Sequence, residues 1–227
     1  MYFRELSVSS DNAVLLSDTF AKMEEFILNH QLRFCPVVDS EGKYLGMLNA
    51  QEILLNEKRT NKESSTVGEY EAQLTTFAVF YEEHFYNLFK YIDSENFFFD
   101  IIPLIDKSFR FKGIVKLTDY LLSIQKFNSL DEPGGIFTIK LGLKDYNLAE
   151  IVRLIEAENI KVLFFASWQD EAAQALFMTF KVNRLDIKVI EDTLNRFEYY
   201  IEAFYSNYDE EDEVFKRYKH LMKFLDI

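Results

Sequence analysis

Apolar residues near the start of the chain change from helical spacing to the short runs that are typical of buried strands. Positions 20, 23, 26, 27 and 30 have helical spacing, and Ser17 and Asp18 before them have side chains suited to an N-cap. Residues 35–39 and 44–48 are apolar runs separated by a polar turn at 40–43, which predicts two strands. A short helix is predicted over 50–55.

The same pattern occurs a second time further along the chain. Three pairs of residues are each 67 positions apart: Pro36 and Pro103, Asp39 and Asp106, Gly46 and Gly113. The second copy predicts a helix around 80–91, a strand over 98–105, a turn over 106–110, a strand over 111–115 and a helix over 117–124. Residues 56–65 between the copies have the polar composition of an exposed linker. Duplicated units usually pack together, and the seam between them is a natural ligand site.

A different pattern begins after the turn-forming residues 131–135. The spacing of apolar residues predicts six further elements in the order βαββαβ, which is the order of a ferredoxin-like unit. They are a strand over 136–141, a helix over 148–157, strands over 162–166 and 176–182, a helix over 189–197 and a strand over 199–204.

The C-terminal segment, residues 207–227, has the pattern of an amphipathic helix. Five acidic residues at 209–213 precede an apolar stripe with helical spacing, formed by Val214, Tyr218, Leu221 and Leu225. Such a helix could dock a partner protein, or it could pack on its own domain or on a dimer mate. The stripe itself favours packing within the protein or its dimer.

Composition and charge limit the classes of function. The 227-residue chain has a formal net charge of −13, so it lacks the basic field that attracts nucleic acid. Its single cysteine, Cys35, cannot form an internal disulfide, which is typical of a reducing cytoplasm. The first residues lack the pattern of a signal peptide, and no apolar run approaches the roughly 18–20 residues that span a bilayer. We expect a cytoplasmic protein without nucleic-acid or membrane partners.

The sequence contains none of the common catalytic motifs. There is no nucleophile elbow, no zinc-protease motif and no Gly-rich phosphate loop. His30, His84 and His220 are scattered without a second ligand at metal spacing, and Cys35 lies inside an apolar run where a buried, inert thiol is expected. We therefore expect no enzyme activity and no metal site, and an enzyme of unrecognised type is the weakest alternative.

The duplicated unit resembles a tandem pair of CBS domains over roughly residues 1–125, because each copy combines Pro-Val-Val-Asp or its equivalent with the later glycine motif. Residues 134–206 resemble an ACT domain, and the whole arrangement is similar to regulatory proteins of the acetoin-utilisation type. The domains predicted are a CBS pair over 1–126, with repeats at about 1–57 and 66–126, an ACT-like domain over 134–206 and a tail over 207–227. The resemblance implies a pseudo-twofold α+β pair with two clefts for adenosyl ligands.

The resemblance also implies which residues of the second repeat hold a nucleotide. In the family, the residue three positions after the glycine often meets phosphate, and the residue six positions after it is often an Asp that binds the ribose. These positions hold Lys116 and Asp119, with Thr118 beside the carboxylate. A helix N-terminus favours an anion, and a carboxylate offers two acceptors to a diol. An ordinary capping role for Asp119 is the alternative.

Three further basic residues, Lys107, Arg110 and Lys112, are expected to add to this site. The first repeat has Asn49 and Glu52 at the matching positions, so its site is interpreted as degraded. In the ACT-like domain, Asp145-Tyr146-Asn147 stands where the family usually has Pro-Gly, which predicts that free amino acids are not bound.

Taken together, these patterns predict a non-enzymatic regulatory protein that forms a homodimer. The CBS pair would bind AMP, ADP, ATP or another adenosyl ligand and change the arrangement of domains or subunits. The alternative is a protein–protein interaction scaffold that uses the same folds without a small-molecule ligand.

Overall fold

Two copies of one small unit make up the first half of the described chain. The computed structural model describes residues 1–6, 13–60, 66–92 and 99–206, and it has a mixed α+β fold. The chain divides into two compact units, Met1–Ser123 and Ile124–Ile227. The domain limits expected at residues 126 and 134 stay predictions.

The first copy consists of five elements in the order βαββα. They are β1 (Val14–Leu15), α1 (Phe20–His30), β2 (Phe34–Val38), β3 (Tyr44–Asn49) and α2 (Ala50–Thr60). The sheet order is β1-β2-β3, with β1 parallel and β3 antiparallel to β2. Every residue of β2 is buried, because the strand lies in the middle of this sheet, and this burial explains its continuous apolar run.

Two boundaries in the first copy differ from the sequence prediction. The N-cap of α1 is Thr19, not Ser17 or Asp18. The Asp18 carboxylate instead accepts the Leu15 N–H at 2.8 Å and pairs with Lys22 at 2.9 Å, so it holds the preceding turn. Helix α2 continues to Thr60, so residues 56–60 of the predicted linker are helical, and residues 61–65 lie outside the described part.

The second copy keeps the strands but replaces the first helix. It contains β4 (Val79–Phe80), β5 (Ile101–Ile105), β6 (Phe111–Lys116) and α3 (Leu117–Phe127), in the sheet order β4-β5-β6. The predicted helix around 80–91 is wrong. Residues 79–80 form β4, and a 3₁₀ helix occupies Phe85–Lys90.

The 3₁₀ helix is explained by the spacing of its buried residues. Phe85 and Leu88, which are both fully buried, are three positions apart, and a 3₁₀ helix has three residues per turn. The fully buried Tyr120 packs against Phe85 and donates its hydroxyl to the Phe85 carbonyl at 3.1 Å. Strand β5 begins at Ile101, whereas the predicted strand began at Phe98, which lies outside the described residues.

The repeated glycines occupy backbone positions that few other residues adopt. Gly46 has φ of +155° and Gly113 has φ of +135°, and each lies where the pairing of its hairpin is interrupted by a register shift. A Cβ atom on Gly46 would also lie 3.0 Å from the Thr75 carbonyl oxygen. Each glycine is therefore required for the backbone conformation at the irregular position of its hairpin.

The two copies are joined at their hairpin turns by a symmetric pair of hydrogen bonds. The Tyr44 N–H donates to the Phe109 carbonyl at 2.9 Å, and the Phe111 N–H donates to the Gly42 carbonyl at 3.0 Å. Gly42 and Phe109 are 67 positions apart, and so are Tyr44 and Phe111, so the repeat relates one bond to the other. The joined turns therefore lie on the pseudo-twofold axis that relates the copies.

The second unit contains a four-stranded antiparallel sheet and two helices. Its elements are β7 (Gly135–Gly142), α4 (Leu148–Ala157), β8 (Val162–Asp170), β9 (Ala175–Val182), α5 (Lys188–Arg196) and β10 (Ile201–Ser206). The sheet order is β10-β7-β9-β8. The last strand begins two residues later than predicted, and β8 extends beyond the predicted residue 166. The predicted tail helix over 207–227 lies outside the described residues.

Both helices of the second unit pack on one face of the sheet. Buried residues of α4 and α5 contact alternate residues of β7 and β9 in a single core, which includes Phe137, Ile139, Met178 and Phe180. The alternate residues of these strands, among them Thr138 and Thr179, point to the other face.

Cys35 is a buried free thiol, as predicted. Its burial raises the pKa to about 12, so the thiolate that reacts with electrophiles is scarce at neutral pH. Among the described residues, no helix has the length and the apolar character that are needed to cross a membrane.

Candidate functional site

The start of α2 in the first repeat is closed by its own side chains. The Asn49 amide donates to a Glu52 carboxylate oxygen at 3.0 Å, and the Glu52 backbone N–H donates to the Asn49 side-chain oxygen at 3.3 Å. These bonds satisfy a backbone donor of the first turn and occupy both side chains. Asn49 and Glu52 therefore act as a helix cap.

The start of α3 in the second repeat has no such side-chain cap among the described residues. Asp119 is in the first turn and Thr118 precedes it, and both are exposed. Neither side chain makes a hydrogen bond or an ion pair with another described residue, whereas the Asp119 backbone carbonyl accepts the Ser123 hydroxyl at 2.8 Å. Among the described residues, no group therefore bonds to either oxygen of the carboxylate that corresponds to Glu52.

Lys116 connects this helix start to the first repeat. Its Nζ donates to the His30 carbonyl oxygen at 2.8 Å, at the C-terminal end of α1. A cation is favoured there by the unsatisfied carbonyls and by the helix dipole. An ammonium group has three donors, so one bond to His30 leaves two for other acceptors.

A second cation from the first repeat lies close to the same segment. The Asp100 carboxylate accepts the backbone N–H groups of Arg33 and Phe34 at 2.5 and 3.3 Å, and the Arg33 guanidinium is 3.8 Å from it. The Asp100 carbonyl in turn accepts the N–H of Leu117, the first residue of α3. The sequence prediction missed Arg33, because its position depends on how the repeats pack. Arg33 and Asp100 are 67 positions apart, which is the spacing of the repeat, and this equivalence could have indicated that they lie close together.

The structure does not bring the other three predicted basic residues to this helix start. Lys107, Arg110 and Lys112 lie at the turn end of β6, while Lys116 is at its last residue. At about 3.3 Å per residue, the backbone positions of Lys112 and Lys116 are roughly 13 Å apart. The predicted set therefore divides into two groups at opposite ends of one strand.

The basic residues at the turn have partners of their own. Lys112 pairs with Asp106 at 3.0 Å, Lys107 lies 3.9 Å from Glu82, and Arg110 donates to the Glu41 carbonyl at 3.3 Å. The Arg110 backbone N–H, assisted by Lys112, lowers the pKa of the Asp106 carboxyl. A cleft of about 460 Å³ beside this turn is lined by Phe80, Tyr81, Glu82, Glu83, Ile105, Asp106 and Lys107. Its lining carries three acidic side chains and one basic one, which does not suit a phosphate.

Aromatic rings surround the segment that leads to β5. Phe99 stacks on Phe77 with ring centroids 5.2 Å apart, and it meets Phe34 edge-on at the same distance. Phe99 is half-buried, and residues 97 and 98 lie outside the described residues.

The loop after β7 in the second unit lines a groove of about 630 Å³, together with residues 197–199. Asn147 caps α4 through the Glu150 N–H at 3.3 Å, and its amide donates to the Glu150 carboxylate at 2.8 Å. The Tyr199 hydroxyl donates to the same carboxylate at 2.7 Å, and burial together with this bond raises the tyrosine pKa to about 12. Asn147 therefore uses its side chain on its own helix, and Tyr146 is exposed beside it.

Among the described residues, no group of three or more His, Cys, Asp or Glu side chains could hold a metal ion. Trp168 lies in β8 and stacks on Phe177 with ring centroids 5.1 Å apart.

The sequence matches no protein-family model and no curated protein. Among solved structures, it is similar to a CBS domain pair/ACT domain protein from Thermotoga maritima, with 23% identity and a TM-score of 0.46 over 56% of this chain and 98% of that chain. A Vibrio cholerae protein assigned to acetoin utilisation has 15% identity and a TM-score of 0.46 over 58% of this chain and 96% of that chain. A third, CBSX2 in complex with AMP, has 14% identity and a TM-score of 0.43 over 55% and 96%.

The chain is similar in structure to CBS domain pair proteins. The resemblance predicted from the repeated motif is confirmed at this level, and residues 1–123 are called the CBS-like pair below. The ACT-type assignment of the second unit stays a prediction.

Proposed function

We propose that the chain is a non-catalytic regulatory protein whose CBS-like pair binds an adenine nucleotide or another adenosyl ligand at the start of α3. The observation that carries this proposal is the contrast between two equivalent helix starts. Asn49 and Glu52 close the first with mutual bonds, while the Asp119 carboxylate at the second bonds to no other residue in the part of the chain that the structure describes. A helix start without such a cap can take an external ligand.

Each exposed group at the second helix start has a chemical role toward such a ligand. The Asp119 carboxylate can accept from two ribose hydroxyls, and the Lys116 ammonium has donors left for phosphate. Arg33 brings a second cation from the other repeat to the segment that leads into α3. Lys107, Arg110 and Lys112 are assigned to the hairpin turn and not to this site.

Regulation would follow from the position of Lys116 between the repeats. A phosphate bound to the remaining donors of Lys116 would add a ligand contact to the ammonium that already bonds to the His30 carbonyl of α1. A ligand that binds one arrangement of these elements better than another shifts the population toward it. The two repeats of the CBS-like pair would then report ligand binding to the rest of the protein.

A screen of melting temperature against AMP, ADP, ATP, S-adenosylmethionine and adenosine tests this proposal. A ligand specific for the folded protein stabilises it by about 2.7 kcal/mol at one hundred times its Kd. We expect at least one adenosyl compound to raise the melting temperature and guanosine to leave it unchanged. If all of the adenosyl compounds fail, the interaction scaffold without a small-molecule ligand becomes the better description.

We also propose that the protein forms a homodimer, because helices of the CBS-like pair present large apolar side chains to solvent. Leu55 of α2 is 56% exposed, and Leu121 and Leu122 of α3 are 57% and 61% exposed. Light scattering at micromolar concentration should give twice the chain mass of 26.9 kDa. Replacing Leu121 and Leu122 together with Glu should shift the mass toward the monomer. A monomeric wild-type protein would contradict the proposal.

The second unit is expected to ignore free amino acids. Asn147 bonds to Glu150 and Tyr146 keeps its side chain at the loop, so the backbone lacks the open approach that a glycine would give. Calorimetric titration with a panel of amino acids should produce no binding heat. A saturable signal that is lost when Asn147 is replaced by Ala would show that this loop is a ligand site.

A further inference from the structure

One edge of the sheet in the second unit is a long strand that could pair with another strand. In the sheet order β10-β7-β9-β8, strand β8 lies at an edge, and among the described strands only β9 pairs with it. Strand β8 has nine residues and no proline, and its single charged residue is Asp170 at the last position. Every second residue of an edge strand directs its N–H and C=O away from the sheet, so this edge is a template for pairing.

The side chains of this edge are incompletely covered. Residues 162–166 are half-buried and residues 167–170 are exposed. Trp168 is 48% exposed although it stacks on Phe177. The one irregularity in the pairing of β8 with β9 lies between Val162 and Phe164, near the start of the strand. The rest of β8 therefore lacks the bulge or central charge that commonly prevents edge strands from pairing.

The two ends of β8 carry opposite charges, which favours a second copy of the same strand as its partner. Lys161 directly precedes the strand, and Asp170 and Glu171 lie at its other end, all three exposed. In an antiparallel pair of identical strands, the start of each lies beside the end of the other. Lys161 of each copy would then lie near the two carboxylates of the other copy, whereas a parallel pair would bring like charges together.

The aromatic side chains select the register of such a pair. Because side chains alternate between the two faces, a twofold antiparallel pair places one residue opposite itself. With Ala166 at this position, Phe164 lies opposite the partner's Trp168 on the face away from α4 and α5, and the symmetry forms this aromatic pair twice. Moving the axis by one residue in either direction separates these rings. Aromatic pairs across strands are stabilising, so the register centred on Ala166 is favoured.

We propose that two copies of the chain join through β8, antiparallel about a twofold axis at Ala166. The two four-stranded sheets then form one continuous sheet of eight strands. This contact rests on the homodimer proposed above and assigns it a surface in the second unit, in addition to the exposed leucines of the CBS-like pair.

A cysteine at position 166 of the full chain tests the contact. Residues directly opposite each other in an antiparallel pair have Cα atoms about 4.5–5.5 Å apart, which is within the range of a disulfide. Ala166→Cys should therefore give a covalent dimer on non-reducing electrophoresis after mild oxidation with oxidised glutathione. The matched control is Ser167→Cys, which should stay monomeric on the same gel because its two Cα atoms would be roughly 8 Å apart. The native Cys35 is buried and should not compete.

The same cysteine in the Leu121→Glu, Leu122→Glu chain separates this contact from the helix contact, and we expect the covalent dimer to persist there. Equal amounts of disulfide from Ala166→Cys and Ser167→Cys would overturn the β8 contact. A dimer by light scattering in which Ala166→Cys forms no disulfide would overturn the β8 contact and leave the homodimer to the helices. A monomer by light scattering without any disulfide would overturn both proposals. A far-UV spectrum verifies that each variant is folded.

Discussion

Replacing Asp119 with Ala is expected to weaken adenine nucleotide binding by roughly 10- to 150-fold. The substitution removes both acceptors that we assign to the ribose hydroxyls, and bonds to a charged group contribute about 1.5–3 kcal/mol. The Asp119 side chain is exposed and contacts no described partner, so its removal should have little effect on the fold. Calorimetric titration with the nucleotide identified by the melting screen measures the change.

The equivalent substitution in the first repeat provides the matched control. Glu52→Ala removes the carboxylate that accepts the Asn49 amide but keeps the bond from the backbone N–H of residue 52 to the Asn49 side chain. It should therefore reduce stability by no more than about 1 kcal/mol, with little change in nucleotide affinity. If Glu52→Ala abolishes binding and Asp119→Ala does not, the ligand belongs to the first repeat.

The Lys116 ammonium separates phosphate recognition from adenosine recognition. Lys116→Ala should weaken ATP and ADP more than adenosine, and the difference should shrink as salt rises. It also removes the bond to His30, so its melting temperature without ligand should be compared with that of wild type.

Replacing Phe180 with Ala is expected to lower the free energy of unfolding by about 3–5 kcal/mol. Phe180 is fully buried on the covered face of β9, with ring centroids 5.5 Å from Phe137 and 5.1 Å from Phe165. Truncation leaves a cavity that these rings cannot fill without moving. Urea denaturation followed by Trp168 fluorescence measures the loss, because Trp168 lies in the same sheet.

Phe197→Ala is the control for this core substitution. Phe197 follows α5 and is 48% exposed, so its truncation removes a similar side chain from a largely hydrated position. Its cost should be below about 1 kcal/mol. Equal losses for the two variants would show that the core of the second unit is not where the sheet and helices place it.

Most strands of both units could be predicted from sequence because each is a short apolar run bounded by turn residues. The two-residue strands β1 and β4 are too short to give such a pattern and were not predicted. The five buried residues of β5 repeat the pattern of β2, and both retain the proline. The 3₁₀ helix at Phe85–Lys90 could not be predicted in this way. Its apolar residues fit helical spacing over 80–91, but only Phe85 and Leu88 are buried there. These two buried residues are three positions apart, a spacing that depends on tertiary packing and favours a 3₁₀ helix over an α-helix.

Only part of the candidate site could be predicted, because tertiary packing also decides which residues lie near it. Lys116, Thr118 and Asp119 follow from the motif, since they are adjacent in sequence at one helix start. Lys107, Arg110 and Lys112 are also near in sequence, yet an extended strand carries them to its other end. Arg33 comes from the other repeat, and only the packing of the two copies places it beside Asp100.

The hydrogen bonds between the two hairpin turns have a consequence for synthesis of the chain. The Tyr44 N–H and the Gly42 carbonyl need Phe109 and Phe111, which the ribosome adds about 67 residues later. At about 5–20 residues per second, the first turn waits roughly 3–13 s for these partners. During that interval water takes the place of these partners, and the apolar residues of the first repeat that pack against β5 and β6 stay exposed. The CBS-like pair is therefore expected to fold after translation of its second half, as one cooperative event, and the first repeat alone is a target for chaperones.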